Sequence, residues 1–367
     1  MKHSAARMLV GMSALVMLAA ACSSGGNAHQ AGQNVANQFI NEKDTDVKPP
    51  AGPDTQRFAL PGFLVATNSP SWIKLVGAPA GEGTVVLFVQ PGGPTDAKGI
   101  AEGDLLVKVD GQGVANAERA IAVLHSRIGE KRTLTFVRSG RKGERDISIV
   151  GASSRGNPGV VLDPEIANNP TDPVLRYLRA YVGGTDKQRL DDLAAALQTH
   201  PDFVDALQLR ASLLWAASFG AKDAASRRAV QRQALAGWLN ALAIDPRNVT
   251  TLAVRSIAES DLGTPRTGEA DALRALQIDG TQPLALFALS HARLAENRTA
   301  QALGPADGAV ELQPYNLDYW KNLATIFMKL KRKTDCVKTA DAFAPYLRAR
   351  PGAAFATAAD DLEKICK

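Results

Sequence analysis

The second half of the chain repeats itself every 34 residues, and that period limits the folds open to it. Ala241, Ala275 and Ala309 stand 34 apart, with Phe343 a further 34 on. Ala234, Gly268, Ala302 and Cys336 keep the same interval, as do Pro246, Gly280 and Pro314. Leu252, Leu286 and Trp320 form another such set, accompanied by Ser256, Ser290 and Ala324. Chance in an alanine-rich chain explains one register, not several at once. Small residues at fixed positions let paired helices approach closely, and proline or glycine closes each unit. Strand signals are missing from Pro170 onward. The spacing therefore predicts stacked helical hairpins near 170–203, 204–248, 249–282, 283–316 and 317–350, with a terminal helix over 351–366. The first unit is degenerate. In the second, Pro201 to Pro246 is 45 residues rather than 34, and "SFGAKDAASRR" is where the extra residues are expected.

A 34-residue period with this pattern resembles tetratricopeptide repeats, and "LQPYNLDYWKNLATIFMKLKRKTDCVKTADAF" is the best copy. The resemblance implies an all-α solenoid over 170–367 with a continuous core and a concave face. It also implies that a peptide or helix of a second protein binds that face through the first helix of each unit. Arg210, Arg255, Tyr319 and Asn322 are the candidates by spacing. The basic cluster Lys329, Lys331, Arg332 and Lys333 reads either as a solvated turn or as a binding patch.

Ahead of the repeats, "VQPGGPTDAKGIAEGDLLVKVDG" (Val89–Gly111) looks at first like a phosphate-cradling loop. A Walker loop needs G-x-x-x-x-G-K-[ST], but here Lys98 precedes Gly99 and no magnesium-binding hydroxyl follows. A dinucleotide fingerprint must open a long helix, whereas "LLVKV" continues as a strand. The glycines are turn residues instead. "GTVVLFV" is a strand, "TDAKGI" a short helical turn ended by Gly99, "LLVKV" a strand and Asp110-Gly111 a tight turn. "NAERAIAVLHSRIG" is a helix capped by Asn116, and "KRTLTFVR", "SGRKG" and "ERDISIV" form a hairpin.

Strand, short helix, strand, longer helix and hairpin over roughly Phe58 to Val150 resemble a bacterial PDZ domain. "PGGPTDAKGIAEGDLLVKVDGQGV" carries the resemblance. It implies a small mixed α/β barrel over 58–151 that accepts an extended peptide or protein C-terminus beside one strand. The carboxylate loop and groove strand would fall at Gly62, Phe63 and Leu64, with Ala117, Ala120, Ile121 and Leu124 on the groove helix. "NSPSWIKLVGAPAGE" remains an alternative for the first groove strand. No histidine begins the groove helix, so an apolar terminal residue is the expected ligand.

The first 22 residues set the compartment. Lys2 and Arg7 precede a short apolar segment, Leu9 to Ala21, too short for an ordinary transmembrane helix. An ordinary secretory signal or a buried helix is one reading. Ala19, Ala20 and Ala21 before Cys22 resemble a bacterial lipobox, with alanine where leucine is commoner. The resemblance implies removal of 1–21, lipidation of Cys22 and, from Ser23, sorting to the outer membrane. Residues 22–57 are polar and turn-rich and read as a tether, and 152–169 as a linker.

Cys336 and Cys366 would then lie in an oxidising compartment. Their midpoint, residue 351, is the turn between the last two helices, so antiparallel packing brings them level for a disulfide. Two unrelated core thiols are the alternative.

Lysine plus arginine against aspartate plus glutamate is 11 to 9 over 59–150 and 25 to 22 over 170–367, which gives no basic excess for nucleic acid. The histidines are scattered, and no H-E-x-x-H, His/Cys cluster or G-x-S-x-G elbow is present. No catalytic, metal or cofactor residue is expected. The sequence reads as a multidomain, non-catalytic envelope adaptor, lipid-anchored and facing the periplasm. The alternatives are an accessory subunit that delivers substrate to a periplasmic protease, or a structural component of a secretion or pilus assembly.

Overall fold

The computed structural model describes residues 57–60, 63–89, 95–117, 120, 131–138, 141–148, 150–153, 162–182, 184–313, 316–348 and 353–367. Cys22, Gly62, Ile121 and Leu124, the expected leader and nearly all of the tether lie outside them. The described residues fall into two compact units, 57–206 and 207–367.

The first unit is built on short β-branched strands. Strands β2 (Phe63–Thr67), β3 (Thr84–Val89), β4 (Leu105–Val109), β6 (Lys131–Arg138) and β7 (Arg141–Ser148) pair in the order β2-β3-β4-β6-β7, and the two-residue β5 (Gln112–Gly113) joins β4. All these pairings are antiparallel. One face buries Phe63, Val86, Ile100, Leu106, Val109, Val114, Ala120, Leu134 and Phe136 as a single cluster. The expected barrel is not closed. Pairing among the described strands runs as an open path from β2 to β7. β1 (Arg57–Leu60) and β8 (Val150–Ser153) satisfy each other in a separate two-stranded ladder, instead of bridging the ends of that path.

Between β2 and β3 the chain forms helix α1 (Pro70–Val76), not the alternative groove strand. Pro70 pre-sets the first helical φ, and Gly77 ends the helix in the left-handed region at φ 67°. Helix α2 (Asp163–Asn168) falls within the stretch read as linker. Helices α3 (Pro173–Val182) and α4 (Asp186–Thr199) form a hairpin around a buried carboxylate. Asp192 accepts two bonds from Arg179, at 2.7 and 2.6 Å, and one from Arg176 at 2.9 Å.

Helix α5 (Val204–Ser218) leads into the second unit and pairs in sequence with α6 (Ala224–Ile244). The extra residues of that hairpin lengthen α6 to 21 residues. Three pairs follow: α7 (Val249–Asp261) with α8 (Pro265–Ile278), α9 (Pro283–Ala295) with α10 (Thr299–Leu312), and α11 (Leu317–Lys329) with α12 (Lys333–Arg348). Helix α13 (Ala353–Cys366) ends the solenoid. The repeating small residues sit where helices touch. A Cβ on Gly268 would stand 2.5 Å from the Ser256 carbonyl oxygen, so only glycine admits that approach of α8 to α7. Ala234, Ala302 and Cys336, at the same register, have no exposed surface.

Cys336 on α12 and Cys366 on α13 form a disulfide, with Cα atoms 5.4 Å apart. It closes a loop over a separation of 30 residues. Reduction, or Cys336→Ser with Cys366→Ser, should destabilise the solenoid by about 3 kcal/mol in chemical denaturation. Hydrogen exchange should quicken first in α13.

Two carboxyls late in the solenoid are out of their ordinary range. Burial pushes Asp307 up to about 7 against the opposing pull of Arg332, with Glu311 adding to the rise. Burial also pushes Asp318 up to about 6, opposed by Lys321. Each holds more protons folded than unfolded between about pH 4 and its folded value, so stability falls as pH rises through that window. Thermal melting of the full chain should therefore occur at a lower temperature at pH 8 than at pH 5. Asp307→Asn should flatten the profile.

Candidate functional site

Among the described residues no strand pairs with the outer edge of β2, and the hydrogen bonding of this strand identifies which backbone groups it offers. Asn68 donates its N–H to the Gly83 carbonyl at 3.0 Å, which makes the neighbouring pair Thr67 and Thr84 a non-hydrogen-bonded pair. Ala66 and Val85 are then bonded to each other, and Val65 opposite Val86 is not. Val86 agrees with this alternation, because its N–H turns to the Asp104 carbonyl at 2.8 Å and its own carbonyl accepts from Gly103 at 2.9 Å. The N–H and C=O of Val65 and Thr67 therefore point away from β3, along the free edge.

A helix begins beside that edge at Ala117, whose N–H donates to Thr67 Oγ1 at 3.0 Å. Val65 packs against the cluster that contains Phe63 and Ala120. The result is a strand edge whose outward backbone groups meet no other described strand, with a helix onset at its Thr67 end and an apolar floor. Such an arrangement can take one more strand.

The acidic residues of the glycine-rich stretch hold turns. Asp104 is buried and accepts from the Ala101 N–H at 2.9 Å and from Nε and Nη2 of Arg138. Arg138 Nη2 also donates to the Gly99 carbonyl at 2.7 Å, so one guanidinium fixes the start of β4 and the end of β6. Asp110 accepts from the Thr133 N–H at 2.8 Å and from Arg132 at 2.7 Å. Gly103 has φ 84°, and a Cβ there would lie 2.6 Å from the Val76 carbonyl oxygen, so both conformation and space require glycine. Beside it, burial and then the Asp172 carboxylate raise the Glu102 carboxyl above its ordinary range.

The expected groove residues divide among different surroundings. Phe63 is buried, edge-on to Phe136 at 6.5 Å, and belongs to the core. Leu64 is half-buried and stands outside that cluster, one residue out of phase with Phe63 and Val65. Ala117 is half-buried at the helix start and Ala120 is fully buried. Val65 and Thr67, which carry the free edge, are not among the expected residues. The period-two alternation from Phe63 is the signal that would have marked them.

On the repeats, Arg210 is exposed. Arg255 is held by Asp271 on the partner helix of its hairpin, through bonds of 2.7 and 2.6 Å. Tyr319 is buried and stacks on Phe287 at 5.1 Å, and Asn322 is buried and donates to Ser290 Oγ at 2.8 Å. Arg255 thus ties the two helices of its own hairpin, while Tyr319 and Asn322 tie α11 to α9, the first helix of the preceding unit. Among the described residues no three His, Cys, Asp or Glu converge as a metal site.

Residues 85–138 match the family model of the PDZ domain. The match lies inside the strand-rich unit and covers the stretch from β3 to the end of β6. Comparison with curated proteins finds no match. Among solved structures, 46% of the chain is similar to 89% of a thermophilic TPR protein of Thermus thermophilus, at 22% identity and TM-score 0.43. Another alignment covers 55% of the chain and 97% of YrrB, a TPR protein with an unusual peptide-binding site, at 15% identity and TM-score 0.33. The HtrA-type protease AlgW with decapeptide aligns over 26% of this chain and 30% of its own, at 24% identity and TM-score 0.25. The chain thus spans less than a third of that protease. It carries a PDZ match over 85–138 ahead of an α-helical solenoid.

Removing Arg138 would leave the Asp104 carboxylate buried beside one backbone donor. Arg138→Ala should cost about 1–2 kcal/mol in urea unfolding, the exposed part of the guanidinium reducing the loss. Arg138→Lys should recover only part of it, since a single ammonium cannot reproduce the fork.

Proposed function

We propose that the protein is a non-catalytic, lipid-anchored adaptor of the bacterial envelope. Its PDZ domain captures an extended peptide or protein C-terminus, and its solenoid holds a second protein. The observation that carries this reading is the free edge of β2. Among the described residues no strand covers the outward backbone of Val65 and Thr67, which lies beside an apolar floor and a helix onset, and an added strand would supply its partners. Apolar side chains around the groove favour a ligand ending in an apolar residue. The solenoid offers exposed apolar side chains in repeat register. Leu239 and Leu273, one unit apart, are 54% and 40% exposed, and Ile244 and Leu312, two units apart, are 46% and 40% exposed. Anchoring through Cys22 and the tether 22–57 would keep both modules at one membrane, raising the local concentration of one partner near the other.

The test uses the full chain. A display library of free C-terminal peptides should yield apolar-ended binders. Val65→Pro, which removes one outward N–H at a position where an edge strand tolerates proline, should weaken them by about tenfold or more. Leu239→Lys with Leu273→Lys should leave peptide affinity unchanged and lose a partner crosslinked in intact cells. A wild-type protein that selects no peptide would sink the PDZ half of the reading.

A further inference from the structure

The lobe between β2 and β3 is closed on itself and fastened at both ends. Asn68 Nδ2 donates to the Pro79 carbonyl at 2.9 Å and the Gly81 carbonyl at 3.0 Å, while its N–H holds Gly83. The lobe thus begins one residue after Thr67, the last residue of the free edge, and ends one residue before β3. Within the lobe, the C-terminal end of the helix Pro70–Val76 reaches Gly103 in the turn before β4, at the Val76 carbonyl.

Helix α1 in this lobe packs on α3 and on the segment that leads into α5, both far along the chain. Trp72 has no exposed surface. Its ring lies edge-on to Phe203 at 4.9 Å and to Tyr177 of α3 at 5.5 Å, and Tyr177 and Phe203 meet at 5.1 Å. Polar contacts on either side of Trp72 fix the rotation of α1. Ser71 Oγ accepts from the Val204 N–H at 3.3 Å, and Lys74 pairs with Asp202. A buried tryptophan in a three-ring cluster is among the largest single contributions a small interface can contain. Asn68, Ser69, Pro70 and Ser71 alone separate it from the edge that receives the peptide.

We infer that α1 is a latch that makes the hairpin α3–α4 and the Phe203 segment part of the peptide site, so that their packing sets the position of the β2 edge. Trp72 is then a positioning residue for the groove. An interaction that pulls on the hairpin would be felt at β2, and an added strand at β2 would be felt at Trp72. The inference rests on the reading that β2 accepts a peptide, but the mechanical link between α1 and β2 can be measured without one.

Hydrogen exchange on the full chain measures it. Trp72→Ala should speed exchange of the Ala66 and Asn68 amides by about tenfold through local opening, while the amides pairing β6 with β7 keep their rates. Trp72→Phe should restore most of the protection. Phe203→Leu keeps an apolar side chain while removing the ring edge, and should show the same pattern more weakly if the alanine variant does not fold. A fluorescein-labelled decapeptide taken from the display selection should bind Trp72→Ala about fivefold or more weakly than wild type, with the phenylalanine variant in between. Unchanged exchange at Ala66 and Asn68 in folded Trp72→Ala and Phe203→Leu would overturn the latch. If the selection returns no peptide but the exchange pattern appears, the latch stands and the peptide reading fails.

Discussion

A backbone N–H and C=O must find partners, and at β2 the described residues meet only half of that requirement. Ala66 and Asn68 turn inward to β3, so Val65 and Thr67 must turn outward. Most edge strands are blunted by charge, proline or a bulge. Here the register shift between Leu64 and Val65 falls at the start of the strand, and the three residues beyond it continue in regular extended form. The rest of the unit keeps this short edge straight. Asn68 pins its far end, and Asp104 with Arg138 fixes the strands behind it. The polar residues of the glycine-rich stretch therefore serve the site from a distance, holding the frame on which the edge is presented.

The solenoid solves the opposite problem. Its backbone is satisfied within each helix, so its sequence is free to specify distance. Small residues recur at one position of each second helix because the helix crossing is closest there, and Gly268 against Ser256 is the tightest instance. On each first helix the larger residues Leu252, Leu286 and Trp320 recur one turn from Ser256, Ser290 and Ala324, and Trp320 stacks on Phe343 at 4.8 Å. At the last hairpin, the disulfide and the Lys333 contact to the carbonyl of Lys367, at 2.9 Å, tie α13 across α12.

What could be read in the sequence follows from whether the signal is local. The 34-residue register, the turn residues around Gly99 and Gly103, and the pairing of Cys336 with Cys366 all depend on spacing along the chain, and spacing is visible. The open sheet was not, because whether β1 and β8 join it depends on strand pairing across about 90 residues. The surroundings of Tyr319 and Asn322 were not visible either. A tyrosine on a first helix reads the same whether it faces a groove or the next helix, and only Phe287 and Ser290 in place decide it. Trp72 was the least legible residue. "NSPSWIKLVGAPAGE" has enough glycine and proline to pass for a loop or an irregular strand, and its partners, Tyr177 and Phe203, lie more than 100 residues away.

That last point also accounts for the degenerate first repeat. A repeat keeps its pattern because its neighbours are copies of itself, and loses it where the neighbour differs. The hairpin α3–α4 meets α1 through Tyr177, so an aromatic ring stands where a close crossing of identical helices would call for a small residue. Its own crossing is organised by charge, with Arg176 and Arg179 gathered on Asp192 and the Arg189 Nε bonded to the Ala180 carbonyl at 2.6 Å. Buried ion pairs of this kind add little net stability over apolar packing, but they penalise any arrangement that leaves the carboxylate alone. The unit that departs furthest from the repeat is therefore the one whose neighbour is a strand domain, and its departure follows the chemistry of that neighbour.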